Sequence, residues 1–416
     1  MSYKEDARVE HQLGEDDDND SLPKCKAPTL LSKLSYASYI YAIKGAIAPL
    51  VWLRDWKEYF IPPEGAPNIV KTYECRPSLP VRIFFPSSYD QTSPASLPTL
   101  LTIHGGGFCV GNVRDDDEWN RAFADAHDVL VIALNYSKAP GSPFPTALHD
   151  IEALLLAVLA DESLPVDRSL HDNKSGLGRT ALLGFSAGGN LALSAAQLPS
   201  VRAHPLAPAA VVSVYGALDL SVPPAEKLAN RPWKAGLPAP RGTGGTGGDD
   251  DEGRVDALST FAPTFEWSLP PYVALVAAEL DMLAHESWRA ACRLGNEQMT
   301  KGGEGGRTRV VPDRESREKP WRVCGREDVG GKVGELEREG DERFAWEDYV
   351  HVDGDDGGEE RGVKWLLVPD VNHGFDNPQF RGMLGGDEET IKDAVLKTKA
   401  YQAELGRWLR ERVWGL

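Results

Sequence analysis

The residues best suited to chemistry lie at 184–188, where the sequence GFSAG has the form G-x-S-x-G. Alone, this pattern is weak, because a chain with 41 glycines in 416 residues is expected to contain about 0.3 such matches by chance. The surroundings are more informative: an apolar run at 180–183 precedes the serine, and a segment rich in alanine and leucine follows it. The glycines permit a sharp strand-to-helix turn near a helix N-terminus, where positive dipole charge favours a developing anion. We therefore predict that Ser186 is a nucleophile on such an elbow.

A glycine loop with the sequence HGGGF follows the apolar run at 99–103. Consecutive glycines let backbone N–H groups approach a substrate, and such donors stabilise the oxyanion of a tetrahedral intermediate. We predict that the N–H groups of Gly105, Gly106 and Ala187 form an oxyanion hole. The alternative is a flexible loop without a role, which the position directly after a buried strand disfavours. His104 is predicted to brace the loop rather than to transfer protons.

Short apolar runs alternate with helical patterns from residue 81 onward, which predicts an α/β fold. Strands that alternate with helices are joined by crossovers, so we expect a mostly parallel sheet with helices on both faces. Thr29 is the predicted N-cap of a helix that precedes this region. The predicted strands are 81–85, 99–103, 130–134, 180–184, 210–215, 272–277 and 364–368, and the predicted helices are 148–159, 187–197 and 388–413.

Three stretches interrupt this alternation. Residues 1–27 are polar and acidic, which predicts disorder. Residues 236–256 contain GTGGTGGDDDEG, and residues 301–362 are dominated by glycine, acidic residues and arginine. Compositions of this kind cannot bury a core, so both internal stretches are predicted to be flexible, low-complexity insertions.

Several motifs in the same order resemble the hormone-sensitive-lipase-like branch of the α/β-hydrolases, which includes carboxylesterases, lipases and arylacetamide deacetylases. The resemblance covers roughly residues 80–300 and 363–415. It rests on HGGGF at 104–108, NYSKAPGSPFP at 135–145, GFSAGGN at 184–190, LSTFAP at 258–263, AAELDML at 277–283 and VNHGF at 371–375.

This resemblance implies a Ser…Asp…His catalytic triad in that chain order. The positions that match are Ser186, Asp281 after the predicted strand at 272–277, and His373 after the strand at 364–368. Such an acid and histidine are usually separated by one helix, one strand and two loops, or roughly 30 residues, whereas here the separation is 373 − 281 = 92. The stretch at 301–362 accounts for the excess. The competing acids near the strand ends are Glu279, Asp370 and Asp376.

The resemblance also implies a helical cap formed by 28–66 and by the interval around 217–258. Tyr36, Tyr39, Trp52, Trp56 and Trp233 could line an acyl pocket there, although core packing is the favoured interpretation. Departures from the family pattern cluster at 135–145, with Asn135 for an acid, Lys138 for an apolar residue and Gly141-Ser142 for an acidic-basic pair. They bear on substrate preference more than on mechanism.

The resulting domain organisation has a core interrupted by a cap and by insertions. The predicted segments are 1–27 (disordered acidic N-terminus), 28–66 (N-terminal cap helix region), 67–216 (first part of the hydrolase core), 217–258 (cap insertion), 259–300 (core continued), 301–362 (low-complexity insertion) and 363–416 (C-terminal part of the core).

Charge and cysteine content limit the partners and the compartment. A net charge of −18 argues against nucleic acid and against electrostatic docking on anionic lipid. The five scattered cysteines predict neither a disulfide framework nor a metal site, and no secretory signal is recognisable, so we expect a cytoplasmic enzyme without metal or organic cofactor. No integral membrane span is expected. The apolar spacing over 30–53 predicts an amphipathic helix packed over the core, with weak interfacial association as the alternative.

These observations predict a serine hydrolase that cleaves carboxylic esters with short-to-medium acyl chains through an acyl-enzyme intermediate. The alternatives are a deacetylase or lactonase that acts on a secondary metabolite with the same triad, and a non-catalytic small-ligand receptor on the same fold. Loss of the base would be typical of a receptor, and the presence of His373 therefore favours an enzyme.

Overall fold

The computed structural model describes residues 29–169, 178–220, 268–301, 331–336, 341–352, 359–383 and 387–416, and the single positions 222, 224, 227, 228, 308, 309, 324 and 325. The described strands form one sheet in the order β1-β2-β4-β3-β5-β6-β7-β10-β9-β8. They are β1 Ile69–Lys71, β2 Val81–Phe84, β3 Thr99–Ile103, β4 Leu130–Leu134, β5 Thr180–Phe185, β6 Ala210–Val214, β7 Tyr272–Ala278, β8 Thr308–Arg309, β9 Ala345–Val352 and β10 Glu359–Val368.

The helices of the described residues flank this sheet or lie outside it. They are α1 Leu30–Phe60, α2 Asp117–His127, α3 Thr146–Ala160, α4 Ala187–Ala196, α5 Pro199–Arg202, α6 Ala284–Lys301, α7 Pro378–Met383 and α8 Glu388–Trp408, which continues into a π-helical turn at Leu409–Val413.

The central strands β4, β3, β5, β6, β7 and β10 run parallel, and antiparallel pairs occur at the two sides of the sheet. Parallel strands that are covered on both faces are continuous apolar runs, and β3 is buried along its whole length. Successive side chains of a strand point to opposite faces. In β3, Leu101 and Ile103 accordingly pack with α3 and α4, while Leu100 packs with α2 and α8 on the other face. The predicted α/β-hydrolase fold, with a mostly parallel sheet between helices, is confirmed.

The flexible insertion predicted over 301–362 is wrong for part of that stretch. Residues 345–352 form β9, which pairs antiparallel with β10 and buries Trp346. Acidic residues conceal this strand from a compositional analysis, but the carboxylate of Glu347 accepts a hydrogen bond of 2.5 Å from Lys364 in the sheet. The predicted disorder of 1–27 and the insertion at 236–256 lie outside the described residues.

Helix α1 begins where the sequence predicts. The hydroxyl of Thr29 accepts a hydrogen bond of 3.2 Å from the N–H of Ser32, which satisfies one of the unpaired donors of a first turn. However, α1 has no buried residue, so the prediction that it packs over the core is wrong. It contacts the rest of the protein through polar groups, including a hydrogen bond of 2.6 Å from Lys44 Nζ to the carbonyl of Ala139.

The aromatic residues of α1 are likewise outside the core. Tyr36, Tyr39, Trp52 and Trp56 are each more than half exposed, which contradicts the favoured core interpretation for these four. Trp233 lies outside the described residues. None of the helices in the described part of the chain combines the length and the apolar character needed to cross a membrane.

Candidate active site

Ser186 lies on the turn between β5 and α4, at the carboxyl end of a central strand. Its φ of 53° is rare for a residue with a side chain, and such strain persists only where the surrounding structure holds it. The flanking glycines are required by close packing. A Cβ on Gly184 would lie 1.9 Å from the carbonyl oxygen of Gly188, and a Cβ on Gly188 would lie 2.2 Å from that of Ile103. The predicted elbow is therefore present in the structure.

Asp281 and His373 come from loops that follow β7 and β10, which are neighbours in the sheet. The structure brings both residues to Ser186. His373 Nδ1 lies 2.6 Å from Asp281 Oδ2, and His373 Nε2 lies 2.9 Å from Ser186 Oγ. The second oxygen of Asp281 accepts a hydrogen bond of 3.1 Å from the N–H of Leu283. Because an ionised carboxylate only accepts, Nδ1 carries the proton and Nε2 is left as the acceptor for the serine hydroxyl.

The competing acids lie elsewhere. Glu279 is fully buried and accepts a hydrogen bond of 2.9 Å from the N–H of Asp370. The Asp370 carboxylate in turn accepts from the N–H of Gly331. Asp376 is buried behind His373, and its carboxylate accepts a hydrogen bond of 2.5 Å from the hydroxyl of Tyr215. Of the acids considered, Asp281 is the one whose carboxylate contacts the histidine.

The surroundings of His373 favour its charged form. Burial by itself lowers the pKa of His373, but the charge and the hydrogen bond of Asp281, together with the charge of Asp376, raise that pKa above its usual value. The ring is not sealed off, since 39% of its side-chain surface is exposed, against 4% for Asp281. A base of this kind can accept a proton from Ser186 while remaining accessible to a ligand.

The glycine loop packs directly on the elbow. A Cβ on Gly105 would lie 3.2 Å from Ser186 Cβ, so the backbone approaches the serine closely because residue 105 has no side chain. The N–H groups of Gly105, Gly106 and Ala187 donate no hydrogen bond to any residue that the structure describes. Three predicted donors next to Ser186 are thus available to a ligand within the described part of the chain.

His104 has the contacts of a bracing residue. Its Nδ1 lies 2.7 Å from the carbonyl of Gly105 and its Nε2 lies 3.3 Å from Asn135 Oδ1. Its ring stacks on Tyr136 with centroids 4.3 Å apart. Burial lowers the pKa of His104 to about 3, so the ring is neutral at physiological pH. Lys138 donates a hydrogen bond of 2.7 Å to the same Asn135 oxygen, and the departures from the family pattern therefore lie directly behind the glycine loop.

Sequence reasoning missed the aromatic residue nearest to the histidine. The ring of Tyr215, the first residue after β6, lies with its centroid 4.8 Å from that of His373. The only signal for Tyr215 was its position at a strand end on the same edge of the sheet as Ser186. The described residues contain no group of three or more histidine, cysteine or acidic side chains able to hold a metal ion.

Known proteins resemble parts of this chain. Residues 100–301 match a family described as having the alpha/beta hydrolase fold. An arylacetamide deacetylase from Oryctolagus cuniculus is 31% identical over 39% of this chain and 40% of its own length, and an acetyl-hydrolase from Streptomyces hygroscopicus is 35% identical over 30% of this chain and 37% of its own. The matched part of the chain thus spans about two fifths of these relatives.

A solved structure of a mutant of the esterase rPPE covers 91% of this chain and 96% of its own chain, with a TM-score of 0.50 at 14% identity. This likeness concerns the fold alone. The same fold is indicated by the sheet order, the elbow and the family match over 100–301. The chain has the α/β-hydrolase fold and, within it, resembles the hormone-sensitive-lipase-like branch.

Proposed function

We propose that the chain is a serine hydrolase that cleaves carboxylic esters with short-to-medium acyl groups. The observation that carries this proposal is the pair of contacts made by His373, which lies 2.9 Å from Ser186 Oγ and 2.6 Å from Asp281 Oδ2. A serine hydroxyl is a weak nucleophile unless an adjacent base takes its proton, and an oriented histidine does this.

In the proposed first half-reaction, Ser186 Oγ attacks the ester carbonyl carbon while its proton moves to His373 Nε2. Asp281 stabilises the imidazolium and keeps the ring in the tautomer that can accept this proton. The tetrahedral intermediate then collapses, the C–O bond to the alcohol breaks, and His373 returns the proton to the leaving alkoxide. An acyl group remains on Ser186.

In the second half-reaction, water attacks the acyl carbon and gives its proton to His373. Collapse of the second tetrahedral intermediate releases the carboxylic acid and returns the proton to Ser186. Both intermediates carry an oxyanion. We assign the N–H groups of Gly105, Gly106 and Ala187 to it, since they donate to no other group among the described residues.

Preference for a small acyl group is supported by the relatives. The sequence resembles an acetyl-hydrolase, an ethyl acetate hydrolase from Pseudomonas putida (35% identity over 42% of that protein) and arylacetamide deacetylases. Each of these names denotes removal of a short acyl group. We therefore expect acetyl and butyryl esters of uncharged alcohols to be cleaved faster than long-chain esters.

A panel of p-nitrophenyl esters from acetate to palmitate tests this function. Wild type should turn over the shorter esters, and Ser186→Ala should lose about 10⁴-fold or more of kcat. Ser200→Ala, which alters an exposed serine bonded to Glu152, is the matched control and should retain full activity. Equal rates for wild type and Ser186→Ala would refute the assignment of the nucleophile.

The similarity to arylacetamide deacetylase favours a second candidate with the same residues, the deacetylation of N-acetylated aromatic amines. Acetanilide-type amides and lactones added to the panel distinguish deacetylase and lactonase activity from ester cleavage. A non-catalytic receptor would bind a small lipophilic ligand and turn over none of these substrates. The base that a receptor could dispense with, His373, is oriented toward Ser186.

We also propose a cytoplasmic location, supported by Cys75, Cys109 and Cys324, which are free thiols. The exposed apolar residues of α1 support weak association with a lipid–water interface over 30–53, among them Leu34, Tyr39, Leu50 and Trp52. Sedimentation with zwitterionic vesicles measures this association. An equal bound fraction after replacing Leu50 and Trp52 by serine would contradict it.

A further inference from the structure

A second carboxylate, that of Asp376, lies near the proposed base His373. Asp376 is 4% exposed, and one of its oxygens accepts a hydrogen bond of 2.5 Å from Tyr215. The other oxygen accepts from the hydroxyl of Tyr401, which itself accepts a hydrogen bond of 2.5 Å from the indole N–H of Trp119. Each oxygen of Asp376 thus accepts a hydrogen bond from a tyrosine hydroxyl.

Tyr215 joins this carboxylate to the candidate site. Its ring lies 4.8 Å, centroid to centroid, from the ring of His373, at an interplanar angle of 59°. Its backbone is held in an uncommon conformation, with a φ of 38°, while its N–H donates a hydrogen bond of 2.6 Å to the carbonyl of Val276. A bulky residue with positive φ is an outlier that persists where the surroundings fix it. The Tyr215 ring is thus fixed at both its backbone and its hydroxyl.

We infer that Tyr215 and Asp376 are positioning residues for His373, a role that rests on the proposed ester hydrolysis. Asp376 anchors the Tyr215 hydroxyl, and the anchored ring keeps the imidazole turned toward both Ser186 and Asp281. The Asp376 carboxylate also adds negative charge that stabilises the imidazolium formed when Ser186 loses its proton. Asp281 thus orients His373 by direct contact, and Asp376 acts through Tyr215.

Several groups face Asp376. Burial raises the pKa of Asp376 above its usual value, and the hydroxyls of Tyr215 and Tyr401 and the nearby Arg381 oppose that rise. Burial, together with the charges of Asp115 and Asp376, raises the pKa of the neighbouring Asp116 well above its usual range. The groups that face His373 itself are Ser186, Tyr215, Asp281 and Asp376.

Three substitutions test this inference on the full chain. Asp376→Asn keeps the size and removes the charge. Tyr215→Phe and Tyr401→Phe form a matched pair, because each removes one hydroxyl donor to the same carboxylate. Only the Tyr215 ring of that pair packs against His373, whereas Tyr401 packs against Phe375, with centroids 5.6 Å apart. The measurements are the pH profile of kcat/KM for p-nitrophenyl acetate and the Tm of each variant.

Asp376→Asn should lower the plateau of kcat/KM about tenfold, since a small misplacement of the base is costly. It should also move the acid limb to lower pH by about half a unit, because a negative charge near the imidazolium is lost. Tyr215→Phe should lower the plateau about fivefold and Tyr401→Phe no more than about twofold. A purely structural role would instead leave the plateaus of the pair equal. It would lower Tm at least as much in Tyr401→Phe, which also removes the acceptor of the Trp119 indole N–H.

The outcomes separate this inference from the proposed function. The proposed hydrolase stands if wild type is active and Ser186→Ala is inactive. In that case the positioning role is overturned if Tyr215→Phe and Tyr401→Phe have equal plateaus of kcat/KM and Asp376→Asn has an unshifted acid limb. If Asp376→Asn does not fold, the matched pair alone decides, because both retain the carboxylate. An inactive wild type would refute the hydrolase instead.

Discussion

Two regions contact the segments around the candidate site: the elbow that carries Ser186 and the helix α1. They are held in the protein by different kinds of contact. The elbow joins the fully buried strand β5 to helix α4, in which no residue is exposed. Helix α1 has no buried residue and is connected through ion pairs. Arg54 Nη1 lies 3.0 Å from Asp115, and Arg114 Nη2 lies 3.2 Å from Glu58.

This difference separates the groups that require exact placement from those that require only proximity. Buried strands hold Ser186 and the loops of Asp281 and His373 because core packing permits few alternatives. Partly exposed ion pairs contribute a few tenths to about 1 kcal/mol each, so α1 is held by weak and replaceable contacts. We therefore expect substitutions near the elbow to change chemistry, and substitutions along α1 to change access or local stability.

The largest effect is expected at the buried end of this comparison. Asp281→Asn should lower kcat/KM by about 10³–10⁴-fold, because an amide at this position favours the wrong tautomer of His373. The fold should be retained, since the amide oxygen can still accept from Leu283. Asp370→Asn is the matched control, as this rival acid also follows a strand of the sheet but bonds to Gly331. A loss in Asp370→Asn as large as that in Asp281→Asn would contradict the assignment.

A smaller effect is expected in the glycine loop. Gly106→Ala should lower kcat about 10²-fold, because one oxyanion donor would be displaced. Residue 106 has a φ of 110°, and a Cβ there would lie 2.2 Å from the carbonyl oxygen of Val110. Gly107→Ala is the matched control in the same loop, with positive φ but no atom within 4 Å of the new Cβ. Equal losses in the two variants would mean that backbone strain, and not donor placement, limits the rate.

The pH profile of kcat/KM is expected to reflect the charges that surround His373. Because Asp281 and Asp376 raise the pKa of His373 above its usual 6.5, the imidazole protonates at higher pH than a free one. Activity requires the neutral ring, so kcat/KM should fall as the pH drops through this raised pKa. Asp281→Asn should move the acid limb to lower pH. A wild-type limb below pH 6 would contradict the raised pKa.

The sequence was most informative where local chemistry and tertiary structure agree. The strands at 99–103 and 130–134 have the predicted bounds because parallel strands buried on both faces are continuous apolar runs. The G-x-S-x-G pattern and its surroundings indicated Ser186, and the family resemblance implied Asp281 and His373. All three follow strands of the parallel sheet, whose carboxyl ends meet at one edge. Their mutual distances required the structure.

Sequence patterns failed where neighbours far along the chain decide the outcome. The strand at 345–352 was hidden by Glu347, whose charge is paired with Lys364 in the sheet. Acidic runs such as 115–118 are typical of a solvated helix start, yet Asp117 is buried in an ion pair with Arg82. Tyr215 and Asp376 carry no motif of their own, because their relation to His373 exists only after folding.

The smallest effect is expected at the exposed end of the comparison. Replacing both Arg54 and Arg114 by methionine removes the ion pairs of α1 with the loop at 112–116 and keeps the apolar stems. We expect kcat for p-nitrophenyl acetate to stay within about twofold, because the elbow and its loops do not depend on these weak contacts. Amide hydrogen exchange over 30–60 should become faster, since local opening would need less free energy.

Arg407→Met is the matched control for this double variant. It removes ion pairs of similar length with Glu404 and Glu411, at 2.7 and 3.1 Å, which lie within α8 and the turn that follows it. Exchange over 30–60 should be unchanged in this control. If the double variant instead lost 100-fold of kcat while Arg407→Met did not, α1 would hold the glycine loop in place through residues 112–116. The separation between a rigid chemical centre and a loosely attached helix would then be wrong.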